Sequence, residues 1–342
     1  MDWNTLRNTA KEKFRGACRV CPVCNGAVCT GEVPGMGGLG TGSGFKHNVQ
    51  ALAEIKLNLR TVHDISQPKL STKILGMELA LPAIGAPIGG LRLNMNGAVS
   101  EEDYNTAVVT GCARAGIISM TADGPMPEIF DCGLKALLTE SGRGIPVIKP
   151  RESHKIIEMA QRAADAGAPA FGVDIDAASL INMTNAGQRV GPKNKAELEY
   201  IKNYTTIPFI VKGVMTPDEA KACYAAGADA IVVSNHGGRA LDYAPGTAEV
   251  LPYIAEAVKG EITILVDGGI HTGADILKML ALGADAVLIG RYLAIAAVGG
   301  GSDGVVFAIN KLAAELRTAM VLTGTADVAD VPETIIWQHK RR

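Results

Sequence analysis

The chain has 342 residues, of which 47% are hydrophobic and 20% are charged, and its formal net charge is −2. This balance favours a globular protein with a large core over a disordered chain, and it excludes the strongly basic surface of a nucleic-acid-binding protein. The N-terminus lacks an apolar signal core, and no uninterrupted apolar run approaches the roughly 18 residues of a membrane helix. The composition therefore predicts a cytoplasmic protein without a membrane span.

Residues 1–78 are predicted to form an N-terminal extension, and a cysteine cluster is its most distinctive feature. Four of the seven cysteines are Cys18, Cys21, Cys24 and Cys29. This density in a cytosolic chain is typical of metal or redox chemistry rather than of a structural disulfide. Two spacings of two residues fit thiolates that bind an iron–sulfur cluster or a zinc ion, although the last spacing departs from the ferredoxin pattern. A redox-active thiol pair and inert cysteines are the alternatives.

A glycine-rich stretch, residues 34–44, follows the cysteines. It is not a phosphate-binding P-loop, because it lacks the Gly-Lys-Ser/Thr ending. Long glycine loops in compact domains are often functional, so the stretch is predicted to be a lid over the site rather than a flexible linker.

From residue 79 onward, short apolar strands alternate with amphipathic helices. The predicted strands are 81–85, 116–121, 145–149, 170–174, 207–212, 230–234, 262–267 and 286–290. The predicted helices are 101–115, 128–138, 154–166, 195–204, 217–226, 247–258, 274–282 and 305–322. Eight of each in about 250 residues favour a (β/α)8 TIM barrel over residues 79–330, rather than an open doubly wound sheet. Residues 331–342 are predicted to be a C-terminal tail.

Three predicted strands end in residues that suit acid–base and anion chemistry. Residues 234–239, Ser-Asn-His-Gly-Gly-Arg, follow the sixth strand at the barrel edge that carries active sites. His236 can exchange a proton near neutral pH, and Arg239 can hold a carboxylate bidentately. Lys212 closes the fifth strand, where it would stabilise an anion. Asp174 ends the fourth strand, and a carboxylate beside His236 would raise the pKa of that histidine and orient its ring.

The last two strands end in turns typical of a phosphate site. Residues 267–271 read Asp-Gly-Gly-Ile-His, and the final strand runs into Gly290 and Arg291. Glycines at these positions expose backbone N–H groups, and Arg291 supplies a fixed positive fork. Loops after the seventh and eighth strands of a barrel commonly bind phosphate, so we expect an anion there.

Residues 234–239, 267–269 and 281–291 together resemble the FMN-dependent 2-hydroxy-acid oxidising family of glycolate and lactate oxidases. The resemblance is specific over residues 205–325 and looser over 79–204. It implies that His236 is the active-site base, that Arg239 binds the substrate carboxylate and that Lys212 lies by the flavin ring. The implied FMN-binding residues are Pro87, Ile88, Gly89, Lys212, Ser234, Gly237, Gly238, Asp267, Gly268, Gly269, His271, Gly290 and Arg291.

The substrate half of the site departs from the family pattern. The loop after Asp174 lacks the family's arginine, and the tyrosine expected after the third strand is replaced around Lys149 and Arg151. His271 stands where the family has an arginine. The flavin half is therefore kept and the substrate half is rebuilt, with Lys149 or Arg151 as a substitute for the missing charge.

These features predict an FMN-dependent oxidase or dehydrogenase that converts a small, L-lactate-like 2-hydroxy acid to the 2-oxo acid. The acceptor would be oxygen or a redox protein, and we expect a homo-oligomer. A weaker resemblance to type 2 isopentenyl-diphosphate isomerases, carried by residues 42–45, 70–76 and 86–90, gives an FMN-dependent isomerase as one alternative. A flavin and iron–sulfur electron-transfer protein is the other.

Overall fold

The computed structural model describes residues 2–338, and its central feature is a sheet of parallel strands that closes on itself. In chain order the strands are β1 Thr72–Ile74, β2 Met77–Leu79, β3 Ala83–Gly85, β4 Ile118–Ala122, β5 Gly144–Ile148, β6 Phe171–Asp174, β7 Phe209–Val214, β8 Ala230–Val233, β9 Thr263–Val266 and β10 Ala286–Ile289. Strands β1 and β2 form an antiparallel hairpin, whereas β3 to β10 form the barrel and β10 pairs with β3. Met1 and residues 339–342, the end of the predicted tail, lie outside the described residues.

The helices surround this barrel and form the N-terminal extension. They are α1 Trp3–Phe14, α2 Ser43–Glu54, α3 Leu91–Asn94, α4 Glu101–Arg114, α5 Pro127–Thr139, α6 Ser153–Asp165, α7 Ile181–Asn185, α8 Lys195–Asn203, α9 Pro217–Ala225, α10 Thr247–Val258, α11 Gly273–Ala281 and α12 Arg291–Thr323. Several begin at side-chain caps that satisfy free backbone N–H groups, as when Ser100 accepts from the N–H of Asp103 at the start of α4.

The predicted (β/α)8 barrel is confirmed. Every predicted strand is present with ends within two residues of the prediction, and seven of the eight predicted helices agree equally well. The exception is α12, which begins at Arg291 rather than at residue 305 because a further helical segment precedes the predicted one. The two segments meet at a kink where Gly300 and Gly301 leave helical geometry.

The barrel interior is a packed core that leaves one end available for a site. Ile84, Met120 and Ile210 fill it and are at most 2% exposed. Ile74 and Leu79 of the hairpin belong to the same apolar cluster and cover the amino ends of the strands. Side chains that bind ligands must therefore come from the carboxyl ends of the strands.

Helix α12 is long and apolar enough to span a membrane, and it is the one such helix within residues 2–338. It packs against α1, α4 and α11, and 61% of its most apolar window is buried inside the protein. Trp3 of α1 stacks on Tyr292 of α12 with ring centroids 4.4 Å apart. The apolar character of α12 is therefore that of a core helix. The same helix packs against α1 of the N-terminal extension.

Candidate active site

A cavity of about 1160 Å³, counting its open mouth, lies at the carboxyl ends of the barrel strands. Most of the predicted site residues come together in its wall although they are far apart in the sequence. Those that line it are Pro87, Ile88, Gly89, Lys212, His236, Gly237, Arg239, Asp267, Gly268, Gly269, His271, Gly290 and Arg291.

Three of the predicted site residues lie behind this wall instead of lining it. Asp174 is buried in the floor, where its carboxylate pairs with two lysines. The Ser234 hydroxyl donates to Asp267 at 2.8 Å and accepts the backbone N–H of His236 at 3.1 Å. Gly238 lies against the start of α2, where a Cβ would overlap the backbone nitrogen of Phe45. All three therefore support residues of the wall and do not line the cavity themselves.

His236 is held in an unusual conformation at the cavity surface. Its φ is +58°, a left-handed geometry that is uncommon outside glycine and that clusters at functional sites. Its Nδ1 lies 2.7 Å from Oδ1 of Asp176 and 3.5 Å from Oδ2 of Asp174. Asp174 therefore stands beside the ring, as predicted, but the closer oxygen on Nδ1 belongs to Asp176, which the 3-10 turn after β6 brings back toward the histidine. Nε2 has no partner within residues 2–338 and is free to meet a ligand.

The protonation states around His236 follow from burial. Burial lowers the pKa of His236 well below its usual value, and this outweighs the opposite effect of Asp174. Asp174 raises the pKa of His236, as predicted, but the effect of burial is larger, because the ring loses more hydration than the neighbouring carboxylate restores. The histidine is neutral at pH 7, which is the form that accepts a proton.

The neighbouring carboxyl groups of Asp174 and Asp176 have pKa values shifted in opposite directions. Burial and the charge of Asp174 raise the pKa of Asp176 well above its usual value. Burial also acts on Asp174, but the charge of His236 when its ring is protonated, and the charges of Lys149 and Lys212, hold the pKa of Asp174 well below the usual value. We infer that Asp176 stays protonated, with Oδ1 accepting the Nδ1–H of His236. The hydrogen bond between the two side chains, which lowers the pKa of Asp174 and raises that of Asp176, is consistent with a proton on Asp176.

Two buried lysines neutralise Asp174. Nζ of Lys149 lies 2.6 Å from Oδ2, and Nζ of Lys212 lies 2.9 Å from Oδ1. Burial opposes the charge on Lys212, but the charges of Asp174 and Asp267 raise its pKa, so it is protonated. Lys149 also reaches the cavity surface, unlike Arg151.

Arg151 is turned away from the cavity by its own carboxylate. Its Nε donates to Oδ2 of Asp123 at 2.9 Å and its Nη2 donates to Oδ1 at 3.0 Å. This bidentate ion pair with Asp123 engages the guanidinium, so that it is not directed at the cavity. Of the two cations predicted to substitute for the missing family arginine, only Lys149 is therefore in position.

Arg239 and Arg291 differ from these cations, because neither forms an ion pair with a carboxylate within residues 2–338. Arg239 donates to the carbonyl oxygen of Gly35 and to Oδ1 of Asn94, and burial together with the charge of Arg291 lowers its pKa to about 10. Two guanidinium groups that are paired only with neutral oxygens prepare the cavity for two anionic groups.

The second anion position is a cradle of backbone groups. The N–H groups of Gly268 and Gly269 have no acceptor within residues 2–338. The N-terminus of α12 begins at Arg291, where free N–H groups and the helix dipole favour an anion. A Cβ at Gly268 would lie 2.7 Å from Thr247 Oγ1, so glycine allows this close packing. The cradle suits a phosphate, and an FMN-sized ligand fits the adjoining cavity.

The sequence reasoning missed several residues of the cavity wall. Met36 and Phe45 come from the N-terminal extension, and Arg291 lies over the Phe45 ring at 3.8 Å. The glycine-rich stretch therefore forms part of the mouth of the site and is packed onto it, as when the N–H of Leu39 donates to the carbonyl of Gly238. This position agrees with the predicted lid, although the sequence did not single out Met36 or Phe45.

The four clustered cysteines lie outside the main cavity. Cys18, Cys21, Cys24 and Cys29 line a second cavity of about 420 Å³, counting its opening, and all four are free thiols. Burial raises the pKa of Cys24 to about 11. Arg291 lies in the wall of both cavities.

Comparison with known families gives one match that spans most of the chain. The profile of the family described as FMN-dependent dehydrogenase matches residues 35–196 and 183–338. The matched region begins after the cysteine cluster.

Two curated relatives have similar lengths. The 2-hydroxyacid oxidase of Dictyostelium discoideum is 30% identical over 334 residues, covering 86% of this chain and 82% of the relative. The L-lactate dehydrogenase of Xanthomonas campestris pv. campestris strain B100 is 32% identical over 346 residues, covering 84% of this chain and 87% of the relative.

Solved structures of mandelate oxidase share the fold over nearly the whole chain. The structure with benzoyl-formic acid has a TM-score of 0.76 at 28% identity and covers 96% of both chains. A mutant with a monooxide FMN adduct has a TM-score of 0.72 at 31% identity, covering 90% of this chain and 97% of the other. These proteins are oxidases and dehydrogenases, so neither the isomerase nor the pure electron-transfer alternative gains support.

Proposed function

Because this chain belongs to the family of FMN-dependent dehydrogenases, we propose that it oxidises a small 2-hydroxy acid to the 2-oxo acid in the main cavity. The observation that carries the proposal is His236 at the cavity surface, with Nδ1 engaged by Asp176 and Nε2 free. A neutral, oriented imidazole beside an unpaired guanidinium suits the removal of a proton from an anionic substrate.

The glycine turns and Arg291 would hold the phosphate of FMN, and Lys212 would lie near its ring. When bound, FMN supplies the acceptor for the two electrons that the substrate loses. A permanently charged ammonium on Lys212 would favour negative charge on the ring, because it acts in a site from which water is largely excluded. The neighbouring carboxylates of Asp174 and Asp267 keep it charged.

Arg239 would bind the substrate carboxylate. Its side chain lines the cavity with His236, and it has no carboxylate of its own within residues 2–338. Lys149 adds positive potential from the floor, but Asp174 neutralises most of it. The anchor and the base together would place the hydroxyl-bearing carbon between them, so that Nε2 of His236 receives the proton.

Anaerobic mixing with a panel of 2-hydroxy acids tests the proposal, because an effective substrate bleaches the flavin absorbance. In His236→Ala we expect the bleaching rate to fall by roughly 10²- to 10⁴-fold while flavin stays bound. His154→Ala is the control, since that histidine is exposed on α6 and should react like the wild type. A His236→Ala protein that keeps most of its substrate-dependent bleaching would disprove the assignment of the base.

The state of assembly is a separate proposal. We expect a homo-oligomer in solution, which a mass measurement by light scattering tests directly.

A further inference from the structure

The four clustered cysteines converge on one small cavity at the side of the barrel mouth. Cys18, Cys21, Cys24 and Cys29 all belong to the loop between α1 and the glycine-rich stretch. Each contributes to the wall of the same cavity, and none of them forms a disulfide. Four free thiols around one enclosed space are the ligand set of a tetrahedral metal ion or of an iron–sulfur cluster.

The spacing of the sulfur atoms separates these two possibilities. A zinc ion would need thiolate sulfurs about 3.8 Å apart, from a Zn–S distance of about 2.3 Å in a tetrahedron. Across residues 2–338, which include the whole cluster, no three cysteine sulfurs lie within 4.8 Å of one another. In a four-iron cluster each thiolate binds a different iron, so the sulfurs stand farther apart. A single zinc ion would therefore require the sulfurs to move closer together, whereas a four-iron cluster accepts sulfurs that are spaced more widely than this limit.

The surroundings of the sulfurs also suit an anionic cluster. The backbone N–H of Val20 donates to Sγ of Cys18 at 3.4 Å, the kind of hydrogen bond that supports thiolate ligands. Arg291 lines the cavity with a guanidinium that is paired only with carbonyl oxygens. Four thiolates and a four-iron core carry net negative charge, which this unpaired guanidinium would balance.

The cysteine cavity adjoins the flavin cavity. Met36 and Arg291 line both, and Nε of Arg291 donates to the carbonyl oxygen of Met36 at 2.8 Å. The same guanidinium reaches the carbonyl of Gly237 beside His236 at 3.1 Å. A single layer of residues therefore separates the two cavities, which is close enough for electrons to pass between centres held in them.

We propose that Cys18, Cys21, Cys24 and Cys29 bind a [4Fe–4S] cluster that carries electrons one at a time from the reduced flavin to a one-electron carrier protein. The metal site stands independently, whereas the relay rests on the proposed function. The 2-hydroxy acid loses two electrons and two protons and becomes the 2-oxo acid. The cluster is reduced and reoxidised twice, two oxidised carriers each gain one electron, and both protons leave to solvent.

Protein purified without oxygen tests the metal site directly. We expect iron and acid-labile sulfide in the equal amounts that one [4Fe–4S] cluster per chain supplies. Cys24→Ser and Cys29→Ser should each lose most of both, while their flavin content reports that the barrel is folded. Cys132→Ser is the matched control, because this half-buried cysteine lies on α5 and does not line the cavity of the four cysteines. The proposed iron–sulfur site would be overturned by zinc without iron, by disulfides among the four cysteines, or by full iron retention in both Cys24→Ser and Cys29→Ser.

The relay has its own readout. Illumination with EDTA reduces the flavin without any substrate, so the signal of the reduced cluster in electron paramagnetic resonance should then appear even if no hydroxy acid reacts. With a hydroxy acid as donor and cytochrome c as acceptor, we expect Cys24→Ser to keep flavin bleaching and to lose at least tenfold in cytochrome c reduction. A bound cluster that photoreduced flavin never reduces would overturn the relay. Failure of hydroxy acids alone to bleach the flavin would instead count against the proposed function.

Discussion

The two ends of the main cavity bind charge in different ways. At the phosphate end, glycine turns and the start of α12 present backbone N–H groups, and Arg291 is paired only with carbonyl oxygens. At the catalytic end, Asp174, Asp176 and Lys212 form a buried network in which each charge depends on the others. The first end is ready for an anion whatever the pH, whereas protonation of one group at the second end changes the state of its neighbours.

This difference predicts that single substitutions at the catalytic end damage the protein itself, and Asp174→Asn is the strongest case. Lys149 and Lys212 would both lose their closest counter-charge while buried. Breaking a buried pair by removing one partner costs roughly 3–5 kcal/mol of unfolding free energy. Denaturant unfolding followed by circular dichroism measures this loss.

An exposed ion pair provides the control for that measurement. Asp131 pairs with Arg162 at 2.6 Å, with about half of each side chain exposed to solvent. Asp131→Asn should cost about 0–1 kcal/mol, because water screens the pair. Equal losses in the two variants would show that the network does not depend on Asp174 for its charge balance.

The second prediction concerns the shared proton of the network. If Asp176 is protonated, Asp176→Asn reproduces its hydrogen bonds, since the amide oxygen accepts from His236 and the amide N–H₂ donates to Asp174. We expect Asp176→Asn to lie within about tenfold of the wild-type kcat, whereas Asp176→Ala loses about 10²-fold because the ring is no longer oriented. Steady-state kinetics with matched flavin content distinguish the two. A deep loss in both variants would mean that Asp176 acts as a carboxylate.

The sequence allowed most of the phosphate end to be predicted, because its chemistry is local. Gly268, Gly269, Gly290 and Arg291 follow strands that alternate regularly with helices, and the barrel brings strand ends together. The orienting role of Asp176 was not predictable in this way. Asp176 lies in the 3-10 turn after β6, where the alternation of side chains along a strand no longer applies, so the sequence did not indicate which of the two acidic residues lies closer to His236.

The sequence predicted that the glycine-rich stretch of the N-terminal extension covers the site, but not which of the extension's side chains reach the cavity. Met36 and Phe45 reach the cavity through packing with residues about 200 positions away, such as the close approach of Gly238 to Phe45. A long-range contact of this kind leaves no periodic signal. The early start of α12 was missed for a different reason, since the kink at Gly300 and Gly301 interrupts the helical pattern.

Arg239 and Arg291, which have no carboxylate partner within residues 2–338, are expected to bind different ligands. Arg291→Lys should raise the dissociation constant of FMN by about 10- to 100-fold, because hydrogen bonds to a charged group contribute about 1.5–3 kcal/mol and lysine lacks the planar fork. Arg239→Lys should raise the substrate dissociation constant to a similar extent and leave FMN affinity unchanged. Flavin fluorescence titration and rapid-reaction kinetics measure the two constants separately. The distinction fails if either variant weakens both ligands equally.

The smallest expected effect is the response of activity to pH. Burial places the folded-state pKa of His236 well below 6.5, so the base stays neutral, and therefore active, at every pH above that lowered value. We expect kcat/KM to change by less than about twofold between pH 8 and pH 6.5, and to fall about tenfold per pH unit only below the lowered pKa. If Asp176 were ionised instead, the pKa of His236 would be raised and the loss would begin near or above pH 6.5. Measuring the pH profile of Asp176→Asn separates these cases. If Asp176 is protonated in the wild type, the neutral amide leaves the profile unchanged; if Asp176 is ionised, the substitution shifts the profile to lower pH. The charged or titratable groups that face the ring are Lys149, Asp174, Asp176, Lys212 and Arg239.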